Sequence, residues 1–131
     1  MKHTSHGFTV IELVVVIAFL AIASVIFFAQ KNNLEIGQRD ETRKTAINAM
    51  YYSLEEVYFA QNKHYPRTLN EDVLPSVDPT LFKDTNGVMI GDSASEYRYE
   101  PVDCDGDKCL GYTLRADLEN EADFIKQNRR D

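Results

Sequence analysis

Proline, glycine and basic charge are all missing from the segment Phe8–Ala29, which carries a single ionisable group, Glu12. Without helix breakers, its 22 residues at about 1.5 Å rise each can cross a hydrocarbon core of roughly 30 Å as one helix. Lipid offers no partner for backbone N–H and C=O, so a helix is the simplest structure that spans it. Basic residues are scarce in the chain as a whole, with Lys+Arg 14 against Asp+Glu 21 and a net charge of −7. That balance argues against nucleic acid as a direct partner of the isolated chain, because phosphate contacts need Lys and Arg. It suits a soluble, acidic surface. The two cysteines lack the C-x-x-C spacing of a redox pair, and no glycine-rich phosphate loop occurs. No catalytic constellation emerges, since His64 reads as a surface histidine near a helix end, so the sequence points away from an enzyme. At 131 residues and 44% hydrophobic content, the chain is too short for two conventional domains.

What is present in the apolar run is one acid. A carboxylate at membrane depth costs about 2.5–3.5 kcal/mol, so Glu12 asks for a partner and a reason. Three plain readings compete. A secretory signal would use Lys2 as its basic region, Val10–Leu20 as its apolar region and Ala21-Ile22-Ala23 as its cleavage site. Glu12 interrupts that apolar region, however, and Ile26, Phe27 and Phe28 extend it past the site. A simple anchor has no use for Glu12. A capping box, Thr9-x-x-Glu12, would only satisfy a free amide at the helix start, a task Gln performs nearly as well.

In the stretch Gly7-Phe8-Thr9-Val10-Ile11-Glu12 the chain resembles the type IV pilin and pseudopilin family. Precursors of that family carry a short polar leader ending in Gly, then Phe, then an apolar helix with Glu at the fifth position after the Gly. The resemblance implies a leader over residues 1–7, removed after Gly7 by a prepilin peptidase on the cytoplasmic side, and methylation of the new Phe8 amine. His6 stands where the family often has Lys or Arg. Loss of Lys2 with the leader would take the net charge to −8.

Such a cut bares an ammonium at the start of an apolar helix. Glu12 of a neighbouring copy is its natural counterion, since a buried pair tolerates low dielectric far better than either charge alone. A pair of that kind also fixes one axial offset between helices. The partners implied are copies of the chain and other pilins in a helical filament, the membrane, the peptidase and an ATPase-driven assembly platform. Lys2 precedes the span while Lys31, Arg39, Arg43 and Lys44 follow it, so the N-in, C-out orientation of the single-pass precursor rests on the resemblance. The function implied is a pilus subunit for adhesion, twitching motility or DNA uptake. The alternative within the family is a pseudopilin of a type II secretion system, and outside it a membrane-anchored acidic binding module that never polymerises.

The fold class expected is α+β, the pilin layout: a long N-terminal helix on a small C-terminal antiparallel sheet. The transmembrane stretch is 8–29, an amphipathic continuation covers 30–62, and an extracytoplasmic β domain covers 63–131. The continuation places Ile36, Ile47, Met50, Tyr51, Leu54, Val57 and Tyr58 at threes and fours, with Gly37 tolerated and Tyr65-Pro66 as the first strong stop. Such a rod would run about 80 Å. Strict alternation marks a strand over Tyr112–Leu118, a shorter one over Tyr97–Glu100 and a third over Val88–Ile90. Asp78-Pro79 starts a short helix through Phe82, and Asn128–Asp131 reads as a frayed tail.

Cys104 and Cys109 bracket a hairpin tip, and in an extracytoplasmic domain the favoured reading is a disulfide. A zinc site would need more soft ligands than are at hand. The alternating Asp103, Asp105 and Asp107 allow a calcium site, as some secretion pseudopilins have near this loop, though the full Asp-x-Asp-x-Asp-Gly spacing and a downstream Glu are absent. The other reading is a solvated acidic loop.

Overall fold

In the computed structural model, residues 7–129 are described; the proposed leader residues Met1 to His6 and the tail residues Arg130 and Asp131 lie outside them. The chain adopts the expected α+β layout, one long N-terminal helix and a four-stranded antiparallel sheet. It divides into two units between Glu35 and Ile36. The first is the apolar helical segment, long and apolar enough to cross a membrane, and its large side chains from Phe8 to Phe28 are exposed. The second is a folded unit that takes in the helix from Ile36 onward.

Helix α1 (Val10–Tyr52) passes through Gly37 without a break. It continues as a π-helical turn, Ser53–Tyr58, and a last α-turn, α2 (Phe59–Asn62). Lys63 then takes the left-handed conformation, φ 62°, and its N–H bonds the Phe59 carbonyl at 2.9 Å, which ends the helix two residues before Tyr65-Pro66. The π-turn also revises the apolar stripe. Ala46, Ile47, Met50 and Leu54 are fully buried, but Val57 is 37% exposed. A wider turn carries position i+3 off the buried face, and it brings Ser53, Leu54 and Glu55 inward together.

Strand β3 (Lys108–Ala116) is the centre of the sheet. Strand β2 (Tyr97–Asp105) pairs along one edge, from Tyr97↔Ala116 to Asp105↔Lys108. A strand has only two edges, so β1 (Tyr65–Pro66) and β4 (Phe124–Gln127) share the other, β1 opposite Lys108 and Cys109, β4 opposite Thr113 to Ala116. Pro101 lies within β2, where an edge strand tolerates its missing N–H. Tyr97, Tyr112, Leu114 and Ala116 turn inward to the helix, as their alternation requires. Leu69, Leu74, Val77, Phe82 and Ile90 close the core from the connecting segment.

The expected third strand over Val88–Ile90 is absent; only a single bridge, Lys83↔Met89, forms there. The reason is a competing side chain. Asp84 Oδ1 accepts from the amides of Asn86 and Val88 at 2.9 Å each, and Oδ2 from Glu96, which winds the segment into a compact loop. The short helix does form, as a 3₁₀ turn over Pro79–Phe82 capped by Asp78, whose carboxylate accepts from Thr80 N at 2.9 Å.

Candidate functional site

The start of the apolar helix is built by Thr9. Its hydroxyl accepts from Glu12 N at 3.3 Å and its carbonyl from Leu13 N at 3.1 Å, so Thr9 is the N-cap. Farther along, the Ser24 hydroxyl bonds the Leu20 carbonyl at 2.8 Å. Two of the three polar side chains in Phe8–Ala29 are thus satisfied within their own helix. Glu12 is the third, and among the described residues nothing bonds its carboxylate. The reciprocal half of the capping box is not made. Phe8, 78% exposed, stands one turn before it, and a side chain placed at Gly7 would meet nothing within 4 Å.

At the opposite end of the sequence, Cys104 and Cys109 are joined as a disulfide across the β2–β3 hairpin. Gly106, φ 60°, occupies the first central position of its two-residue turn, which suits a type II′ geometry. Asp103 is also left-handed, φ 52°, and the ladder lapses between it and Leu110. Beyond that point both strands exchange faces: Cys109 points inward, while Leu110, inward by simple alternation, is 71% exposed. Asp103, Asp105 and Asp107 are exposed around the tip, and no group of three or more such ligands is gathered among the described residues.

Two polar centres lie inside the folded unit. In the first, Arg43 uses all five of its N–H donors: Nη1 to Asp40 (2.8 Å) and Glu119 (3.0 Å), Nη2 to Thr85 (3.0 Å) and Glu96 (2.8 Å), Nε to Glu96 (3.0 Å). Asp40 in turn accepts from the amides of Glu119 (2.9 Å) and Asn120 (3.1 Å), and Arg39 grips Glu119 with two bonds of 2.7 Å. The Arg39 bond, with Arg43 behind it, lowers the Glu119 carboxyl from its ordinary 4.5 to about 2. Burial pushes Asp40 up, but the two amides and Arg43 outweigh it, and the group sits below the usual carboxylate range. One helical turn therefore fastens two loops, around residues 84–96 and 119–120.

The second centre is Glu55, buried on the π-turn. Tyr65 Oη donates to both of its oxygens at 3.1 Å, and Tyr112 Oη and the Arg129 amide donate to Oε1 at 2.8 and 3.2 Å. Burial and the neighbouring Glu55 push the Tyr112 hydroxyl well above its ordinary range, so it remains a proton donor.

No family model, curated protein or solved structure matches the chain. Its own residues carry the functional reading.

The sequence signalled Gly7, Phe8, Glu12 and the cysteines through a motif or a spacing. It gave no such notice of Arg43, Asp40 or Glu55. On a helical wheel these look like solvated charges, and only Asp40 and Arg43, at i and i+3, carry a local sign of pairing. Apart from Tyr65, 10 residues from Glu55, their other partners are 42 to 80 residues away.

Proposed function

We propose that the chain is a structural subunit of the type IV pilin kind, held in a membrane by the segment 8–29 and assembled into a helical filament with copies of itself and related subunits. The unpartnered Glu12 carboxylate at the start of an exposed apolar helix is the observation that carries this reading. A plain anchor gains nothing from a charge there, and a cap would spend it on its own backbone. Cleavage after Gly7 supplies the missing cation, an amine at Phe8, and helices packed side by side bring that amine to Glu12 of a neighbour in a dry core. The exposed apolar side chains from Val10 to Phe28 serve first against lipid and then against one another. The folded unit from Ile36 onward forms the outer surface, with the disulfide hairpin among its exposed features. The chain performs no chemistry in this reading; prepilin peptidase and an ATPase-driven platform act on it. Pilus use, in adhesion, motility or DNA uptake, is favoured over a secretion pseudopilus because the acidic tip lacks the full calcium-loop spacing.

The test is Glu12→Gln, which keeps the capping geometry and removes the charge. Leader removal and membrane insertion should persist while sheared surface filaments fall at least tenfold; wild-type filament yield would show that assembly has no need of the Glu12 charge.

A further inference from the structure

The two residues after β4 join the interior to the surface. Asn128 sits in the stretch of the β3 edge that lies between the parts paired with β1 and β4: its Oδ1 accepts from Tyr112 N at 3.1 Å and its own amide approaches the Tyr112 carbonyl at 3.4 Å. Gly111 makes room for it, since a Cβ there would meet Asn128 Oδ1 at 2.7 Å. Arg129 then turns its main chain and side chain to different depths. The amide reaches buried Glu55, while the guanidinium lies 5.2 and 5.7 Å from the Tyr51 and Tyr52 rings, donates to the Tyr51 hydroxyl at 2.8 Å and pairs with Glu56. The surface grip is solvated, with the Arg129 side chain 43% exposed and that of Glu56 60%.

We propose that Asn128–Arg129 is a strap that opens and closes as a unit of its own over the π-turn, with Glu55 as its inner catch and the Tyr51–Tyr52 shelf as its outer one. Exposed ion pairs and cation–ring contacts are each weak, so the outer catch gives way far more easily than the core. Opening it withdraws the amide from Glu55, admits water to a carboxylate that forms no salt bridge among the described residues, and clears the two tyrosines. Closing it restores a charge-assisted bond, which is about twice as strong as a neutral one. The π-turn is what makes the catch possible, because it faces Glu55 inward beside Leu54 rather than to solvent. The strap does not depend on the filament reading, so either can fail alone.

Amide hydrogen exchange on the full chain in detergent micelles, resolved residue by residue by NMR, tests it. The Tyr112 amide reports the strap, and the amides shared by β2 and β3 report the sheet. Arg129→Ala keeps the amide donor but removes the outer catch, and should speed exchange at Tyr112 about tenfold with the β2–β3 amides unchanged. Glu55→Gln keeps the shape of the inner catch and removes its charge, and should speed the same amide. An unchanged Tyr112 rate in both variants, or equal acceleration across β2 and β3, would overturn the proposal.

Discussion

Arg43 Nη1 bonds Asp40 Oδ1 at 2.8 Å from one turn farther along the same helix, and neither side chain exposes more than 3% of its surface. Buried charges of this kind are stable only as a set. Burial alone would lower the Arg43 pKa, yet Glu96, Glu119 and Asp40 together raise it, so the guanidinium is more firmly charged in the fold than in water.

Removing the hub cation should therefore be severe. Arg43→Ala takes the ion-pair partner from Asp40 and Glu96 and leaves Glu119 to Arg39, and a broken buried pair costs about 3–5 kcal/mol. Denaturant unfolding should show that loss. Arg39→Ala should cost far less, because its bond to Glu119 is partly solvated. Similar effects from the two substitutions would contradict the hub.

The same groups set the pH range of stability. Glu119 titrates at about 2 in the fold instead of 4.5, and Asp40, Asp78 and Asp84 are also held low. A depressed carboxyl pKa contributes stability that is complete above its ordinary value and disappears as pH falls through the folded one. Melting temperature should thus drop between about pH 4.5 and 2. At the alkaline end the sign reverses. Burial raises the Tyr97 hydroxyl from 10 to about 12, and Tyr99 and Tyr112 move the same way, so the fold favours the protonated phenols and should weaken as pH rises from 10 toward 12. A melting temperature flat through both windows would mean these groups are no better placed in the fold than in the open chain.

Replacing Cys104 and Cys109 together by alanine should cost about 2 kcal/mol, the entropy of a short closed loop, without loss of the fold. The β2–β3 ladder from Tyr97↔Ala116 to Val102↔Gly111 stands on its own pairs. Circular dichroism and urea unfolding of the double variant measure both parts. Collapse of the sheet signal would show that the hairpin depends on the bridge.

Where period and punctuation act locally, the fold was legible in the residues: the unbroken helix, the inward face of Tyr112, Leu114 and Ala116, the capped turn at Asp78, the cysteine pair. The misses have more than one cause, side-chain bonding to the backbone first among them. Val88–Ile90 has strand composition but is wound by Asp84, and Asn128–Arg129, read as a frayed tail, is fastened by Tyr112 and Glu55. Strand β4 is four residues long and has little pattern to offer. The face exchange at Asp103 depends on one left-handed backbone, which no alternation of polar and apolar residues announces. At the proposed assembly site the sequence supplied the residues, and the structure added that Thr9 and Ser24 are satisfied within the helix while Glu12 is not.

The most direct measurement is a side-chain-resolved density map of filaments assembled from the full chain. The account predicts processed subunits that begin at Phe8, with the Phe8 nitrogen about 3 Å from a Glu12 carboxylate oxygen of an adjacent copy. A map in which Phe8 nitrogen and Glu12 lie apart in the core, each without a partner from another copy, would contradict it.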